Sequence, residues 1–265
     1  MIRMIISDMD GTLLDTSKKL PSDFFEVYQL MEAKGVQFVV ASGRQYYTLV
    51  EEFAHLQHNI AFIAENGGFI KQNGHELVMN PMKAIDAKKL IEAIRESKGS
   101  NVVLCGKNGA YIEDDSSDDF MNEMRKYYVK HEVVSDLLLV EDDILKIAVN
   151  NFDDLEESIY PNLKNHFEKQ FQISTSSPIW LDIMPQGINK GKAIQLLQKQ
   201  MHIQPDECMA FGDYLNDFEM LESVGHSYAM ANAHADIKKV AKYSTDSNDD
   251  NGVMNAIRKQ LTANG

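Results

Sequence analysis

Two aspartates stand two positions apart in Asp8-Met9-Asp10-Gly11-Thr12, directly after the apolar run Met4-Ile5-Ile6. At a strand-to-loop turn such a pair can divide the labour of group transfer. Asp8 can hold a cation with one oxygen and attack with the other, while Asp10 gives its proton to a leaving group. Gly11 lets backbone N–H groups approach a phosphate, and Thr12 adds a hydroxyl donor. The same residues also suit a plain Asp- and Gly-rich turn that caps a helix, and that alternative stays open at this level. A calcium loop fits less well. Counted from Asp8, its fifth, sixth and twelfth positions hold Thr12, Leu13 and Lys19 rather than Asp or Asn, Gly and Glu.

A second stretch, Gly212-Asp213-Tyr214-Leu215-Asn216-Asp217, follows the apolar Cys208-Met209-Ala210-Phe211. Asp213 can complete a magnesium site with Asp8, because Mg²⁺ takes hard oxygen ligands and keeps several waters. Asn216 can donate to phosphate, and Asp217 can orient the metal's water or Lys190. An ordinary Asn/Asp helix cap explains the stretch equally well. In Ala41-Ser42-Gly43-Arg44 the Ser42 hydroxyl and Gly43 amide can bind phosphate beside a helix N-terminus, with Arg44 as a candidate substrate contact. In Asn189-Lys190-Gly191-Lys192 a lysine enters a helix, where the macrodipole opposes a cation. Lys190 is therefore better used facing a bound anion, although solvated surface charge is the usual fate of lysine. His55 and His58 lie three apart on an expected helix, but no further ligands suggest themselves and packing is the better account. Cys105 and Cys208 sit in apolar strand patterns, which predicts burial. No GxGxxG follows a strand and no GxxxxGK[ST] occurs, so dinucleotide and P-loop chemistry lose their main support.

Short apolar runs alternating with amphipathic segments must position these residues. Met4-Ile5-Ile6, Val36 to Val40 and Ile60 to Ile63 each end in polar or glycine residues, the last in Glu65-Asn66-Gly67-Gly68. Phe24, Val27, Tyr28, Leu30 and Met31 predict a helix from Ser22, its N-cap, to Ala33, stopped by Gly35. The C-terminal part repeats this grammar: a helix over 190–201, strands at 208–211 and 227–230, and a closing helix over 252–261. Buried strands joined by helices imply a parallel sheet. The middle differs. Hairpin-type turns such as Lys107-Asn108-Gly109 join strand pairs, with helices expected over 86–98 and 153–166 on one face of a largely antiparallel sheet. Pro81 and Pro185 bracket this part. The chain thus reads as α/β, with a discontinuous core over 1–82 and 186–265 and an α+β domain inserted over 83–185. Asp114 to Asp119 is the densest acidic run and reads as a solvated loop and helix start.

Of 265 residues, 40 are acidic and 26 basic, a net charge of −14, and 44% are hydrophobic. A chain of this size and balance buries a substantial core, which excludes disorder, collagen and coiled coil. Its longest apolar runs fall far short of the ~20 residues of a membrane span. The charge repels nucleic acid and anionic membranes, so an anionic substrate must meet a local positive site. Two distant cysteines offer neither a disulfide framework nor a zinc ribbon, and the opening residues reach Asp8 and Asp10 without a signal peptide's apolar core. A cytoplasmic location is expected.

Taken in order, the four segments resemble the haloacid dehalogenase superfamily, specifically its Cof-type sugar-phosphatase branch, over essentially the whole chain. The resemblance implies a Rossmann-like core with an inserted α+β cap domain. It makes Asp8 the nucleophile and Asp10 the general acid/base, with Mg²⁺ held by the Asp8 carboxylate, the Asp10 backbone carbonyl and Asp213. Phosphate would touch the Met9 amide, Ser42, Gly43, Lys190 and Asn216, with Asp217 in support. Tyr214 stands where the family often has a small residue. The implied function is Mg²⁺-dependent hydrolysis of a small phosphorylated metabolite through an aspartyl-phosphate, with no obligate protein partner. The same residues can serve a phosphomutase, or a noncatalytic sensor of phosphometabolites.

Overall fold

The computed structural model describes residues 1–56, 58–114 and 116–262. In chain order its elements are β1 (Met4–Ser7), α1 (Phe24–Ala33), β2 (Gln37–Ala41), α2 (Tyr46–Glu52), β3 (Ala61–Ala64), β4 (Phe69–Gln72), β5 (His75–Val78), α3 (Ala84–Arg95), β6 (Asn101–Gly106) and β7 (Ala110–Glu113). Then come α4 (Asp118–Met124), β8 (His131–Val134), β9 (Ile144–Asn150), α5 (Tyr160–Phe167), β10 (Phe171–Ser177), β11 (Trp180–Pro185), α6 (Lys190–Met201), β12 (Cys208–Gly212), α7 (Phe218–Glu222), β13 (His226–Ala229), α8 (Ala235–Val240), β14 (Tyr243–Ser244) and α9 (Gly252–Thr262). They form two compact units. One comprises Met1–Gly43, His55–Glu76 and Asn189–Gly265, the other Arg44–Ala54 and Leu77–Ile188. Among the described residues no helix is long and apolar enough to cross a membrane.

The first unit is built on the sheet β14-β13-β12-β1-β2-β3-β4-β5, parallel from β14 through β3, with β4 antiparallel to β3. Its central strands are buried along their whole length, so they read as continuous apolar runs rather than alternating ones. Helix α1 packs on α9 and α6 on α7. Ser22, the expected N-cap of α1, lies outside it: Phe24 N donates to Pro21 O at 3.0 Å, so a turn begins there and Asp23 becomes the N-cap. Gly35, at φ +67°, closes the helix as expected, its N–H bonding Glu32 O at 2.9 Å. Histidines 55 and 58 are not helical, since α2 stops at Glu52.

The second unit carries the sheet β10-β11-β9-β6-β7-β8, antiparallel except for the β7–β8 pair. Alternation along β6 and β9 sorts its core. Val102, Leu104, Ile147 and Val149 cluster with residues of α3 and α5, whereas Val103, Cys105 and Ala148 cluster with Phe120 and Met124 of α4. The two helices expected from sequence thus share one face, and α4 covers the other. Helix α3 begins and ends earlier than the expected 86–98, and the expected 153–166 helix opens as a π turn, Leu155–Ile159. Pro161 is the second residue of α5, directly after that turn, where the bonding pattern changes from π to α. Arg44–Ala54 groups here although its sequence neighbours belong to the core. Gln45 Nε2 donates to Lys130 O at 2.9 Å, and Thr48 Oγ1 to Tyr127 O at 2.8 Å. Trp180 packs against Phe120, Tyr127 and Tyr128, with centroids 6.0–6.3 Å away. Lys146 and Asp182, on the neighbouring strands β9 and β11, form a buried ion pair, Nζ to Oδ1 3.4 Å. In the acidic run Asp115 is outside the described residues, and Ser117 caps α4 by accepting from Phe120 N at 3.3 Å.

Candidate active site

Strand β1 lies between β2 and β12, where the strand order of the parallel sheet turns back. The crevice beyond the carboxyl ends of strands at such a point is where open α/β sheets bind ligands. Ser7, the last residue of β1, is in register with Val40 and Phe211, so Asp8 emerges between the ends of β2 and β12. Its N–H donates to Phe211 O at 3.1 Å. The turn after it is wound tightly: Leu13 N bonds Asp8 O at 3.3 Å and Leu14 N bonds Met9 O at 2.9 Å. Gly11 holds φ +76°, and a Cβ there would stand 2.4 Å from Asp213 Oδ2, so both backbone and space demand glycine.

Lys190, the first residue of α6, is fully buried and donates to two carboxylates, Asp8 Oδ1 at 2.5 Å and Asp217 Oδ1 at 2.6 Å. Asn189 caps that helix by accepting from Lys192 N at 2.8 Å. The other oxygen of Asp217 accepts from the N–H groups of Asp213 and Tyr214, at 3.0 and 3.2 Å. Both Asp217 oxygens are thus engaged in fixing Lys190 and the loop after β12. Thr12, a suggested phosphate donor, gives its hydroxyl to Asp213 Oδ1 at 2.7 Å instead. Tyr214 is half exposed and meets His234 edge to face.

Oxygen atoms of Asp8, Asp213 and Asp217 all lie within 4.8 Å of one another. Three carboxylates around one ammonium leave an excess of negative charge. Burial pushes Asp8 well above the usual carboxylate range, against the pull of Lys190, and Asp217 and Asp213 push it further. Burial likewise takes Asp213 up to about 6, against the Thr12 bond. Burial works against the Lys190 ammonium too, but Asp217 and Asp8 outweigh it and hold its pKa above the ordinary value.

Asp10 is partly exposed, and its Oδ1 accepts from Lys18 Nζ at 2.6 Å. Ser42 is buried at the end of β2, its N–H on Ile63 O at 2.8 Å. Asn216 donates through Nδ2 to Asn66 Oδ1 at 3.1 Å. The first unit therefore gathers Asp8, Met9, Asp10, Ser42, Gly43, Lys190, Asn216, Asp213 and Asp217, while Arg44 opens the second unit. Lys18, Asn66 and Asn232, whose Nδ2 donates to Gly11 O at 2.7 Å, were not singled out as site residues from sequence. Only Asn66 carried a signal, as part of the Glu65-Asn66-Gly67-Gly68 strand end.

Residues 5–257 match the haloacid dehalogenase-like hydrolase family. The chain is 33% identical, over 98% of its length and 96% of the relative's, to the Escherichia coli K12 5-amino-6-(5-phospho-D-ribitylamino)uracil phosphatase YbjI. It is 28% identical to the Bacillus subtilis 168 phosphatase YcsE, which bears the same substrate in its name, over 97% of this chain and 95% of that one. The structure of SMU.1108c from Streptococcus mutans UA159 superimposes with a TM-score of 0.88 at 28% identity, covering 99% of this chain and 100% of that one. The chain belongs to the haloacid dehalogenase-like hydrolases, in their Cof-type branch, and is a phosphoric monoester hydrolase.

Proposed function

We propose that this hydrolase is a Mg²⁺-dependent phosphatase that dephosphorylates a small metabolite through an aspartyl-phosphate on Asp8. One observation carries the reading: at the carboxyl end of β1 the Asp8 carboxylate lies 2.5 Å from the ammonium of the buried Lys190. A fixed cation favours the ionised nucleophile there and faces the anion it attacks. Asp8 and Asp213, with the backbone carbonyl of Asp10, are the Mg²⁺ ligands in this reading. Their hard oxygens and the cluster's excess negative charge suit that ion. When bound, it supplies positive charge that offsets the carboxylates and the phosphoryl oxygens.

The residues then work in two half-reactions. The Asp8 carboxylate attacks phosphorus in line, the ester P–O bond breaks, and Asp10 protonates the departing alkoxide. Asp10 next takes a proton from water as that water attacks the phosphorus of the acyl-phosphate, releasing inorganic phosphate and restoring Asp8. The Met9 and Gly43 amides, Ser42, Asn216 and Lys190 hold the phosphoryl oxygens. For its first role Asp10 must exchange Lys18 for the leaving oxygen.

Two relatives are named for a phosphorylated ribityl chain on a pyrimidine, which supports a phosphorylated polyol or sugar as substrate. The second unit interrupts the core directly after Gly43 and directly before Asn189, beside the phosphate-binding residues in sequence. Substrate selection is assigned to it, with the core as catalytic unit and the insert as its cap. Exchanging residues 84–184 with those of a relative of different substrate should transfer the substrate profile, and an unchanged profile would refute the assignment. The buried thiols Cys105 and Cys208 suit a reducing compartment, consistent with action in the cytoplasm. The central test is phosphate release from a panel of esters headed by the ribitylaminouracil phosphate. Turnover that persists in excess chelator would contradict the metal dependence.

A further inference from the structure

We propose that Asn66 is a positioning residue that ties the phosphate-binding segments at the ends of β2 and β12 to each other, from a turn whose Gly67 packs on the residue before α6. The inference rests on the phosphatase reading, because it concerns how Ser42, Gly43 and Asn216 are held for phosphate. After β3 three successive residues occupy the left-handed region: Glu65 at φ +49°, Asn66 at +51° and Gly67 at +103°. Such a conformation is disfavoured for a non-glycine residue and persists only where its surroundings enforce it.

The surroundings are the other phosphate segments. Asn66 N–H donates to Ser42 O at 3.0 Å, and its Oδ1 accepts from Asn216 Nδ2 at 3.1 Å. A Cβ on Gly43 would stand 3.0 Å from Asn66 Oδ1, and one on Gly67 would stand 2.4 Å from the carbonyl of Asn189. One turn therefore contacts the residues after β2, before Lys190 and after β12. Committing one proton of the Asn216 amide to Asn66 fixes that amide's plane. The second N–H remains available for a phosphoryl oxygen.

Hydrolysis of p-nitrophenyl phosphate, with inorganic phosphate as competitive inhibitor, tests this in Asn66→Gly, Asn216→Ala and the double variant. Glycine adopts the left-handed backbone freely, so Asn66→Gly should fold and lose only the side-chain acceptor. Both KM and the phosphate inhibition constant should rise roughly tenfold, more than kcat falls, and the double variant should be no worse than Asn216→Ala alone. Asn66→Ala should match the glycine variant in phosphate inhibition but melt at a lower temperature. An unmoved inhibition constant in Asn66→Gly, a fall confined to kcat, or effects that multiply in the double variant would each overturn the proposal. Wild-type protein that hydrolyses none of the esters would instead overturn the phosphatase reading itself.

Discussion

Lys190, fully buried between Asp8 and Asp217, cannot compensate three carboxylates by itself, and the consequences are measurable at single residues. Asp8 is held well above the ordinary carboxylate range, first by burial, so its charge is costly in metal-free protein. Asp8→Asn should therefore abolish turnover, because a carboxamide cannot form the acyl-phosphate. In chelator it should melt no lower than wild type. Residual turnover, or a clear loss of thermal stability, would count against Asp8 as a buried nucleophile strained by its charge. Asp213 gives the pH counterpart, since burial places it at about 6. Its unfolded value lies near 4, so the folded state binds the extra proton between about 4 and 6, and stability contributed by that proton is lost as pH rises through this window. Chelated protein should accordingly unfold more easily at pH 7 than at pH 5. The apparent Mg²⁺ affinity, read by calorimetry, should weaken as pH falls below about 6, because proton and metal compete for Asp213. A pH-independent affinity would remove Asp213 from the ligand set.

Elements matter here through their ends. Helix α6 places Lys190 in its first turn, and Asn189 secures that turn by accepting from Lys192 N at 2.8 Å. Asn189→Ala should cost about 1 kcal/mol of stability, the usual worth of an N-cap, with a modest loss of kcat/KM. Gly11→Ala should be far harsher on function, because the new methyl would lie 2.4 Å from Asp213 Oδ2 and the backbone sits at φ +76°. Either that carboxylate or the turn must move, so Mg²⁺ affinity should fall more than thermal stability. Denaturation and metal titration of both variants check the contrast; equal effects of the two on metal binding would mean that the turn does not set the ligand geometry. Periodicity located α6 at its observed bounds and α1 to within two residues at one end. It missed the short strands β4, β5, β8 and β14, and also β9, whose burial on both faces leaves no alternation to read, and it merged the π turn at Leu155–Ile159 into one helix.

For the molecule as a whole, a net charge of −14 meets a substrate that is itself a dianion. Long-range repulsion slows encounter, while Lys190 acts only at contact range. Raising ionic strength from about 10 to about 150 mM shortens the Debye length from ~30 to ~8 Å. At fixed free Mg²⁺, kcat/KM should therefore increase over that range. A steep decrease would show that a local positive field steers the substrate and that overall charge is irrelevant. Burial of Lys190 between Asp8 and Asp217 keeps it from bulk screening and fixes its partners.

The sequence by itself determined the family, the reaction class and the architecture. Asp8-Met9-Asp10, Asp213 and Lys190 are legible because each follows a buried strand or opens a helix, where a charged residue is unusual, and because the apolar periodicity of those elements is unmistakable. What only the tertiary structure decided is how the segments hold one another. That Thr12 serves Asp213, that Asp217 spends both oxygens on Lys190 and its own loop, and that Asn66 joins the ends of β2 and β12 are pairings between residues distant in the chain or aimed by a single turn. The same holds for Arg44–Ala54, which leaves the neighbours it has in sequence to bond Tyr127 and Lys130. Local pattern encodes which face of an element is buried; it does not encode the partner across a contact, because that depends on where the sheet order and the turns bring the chain back.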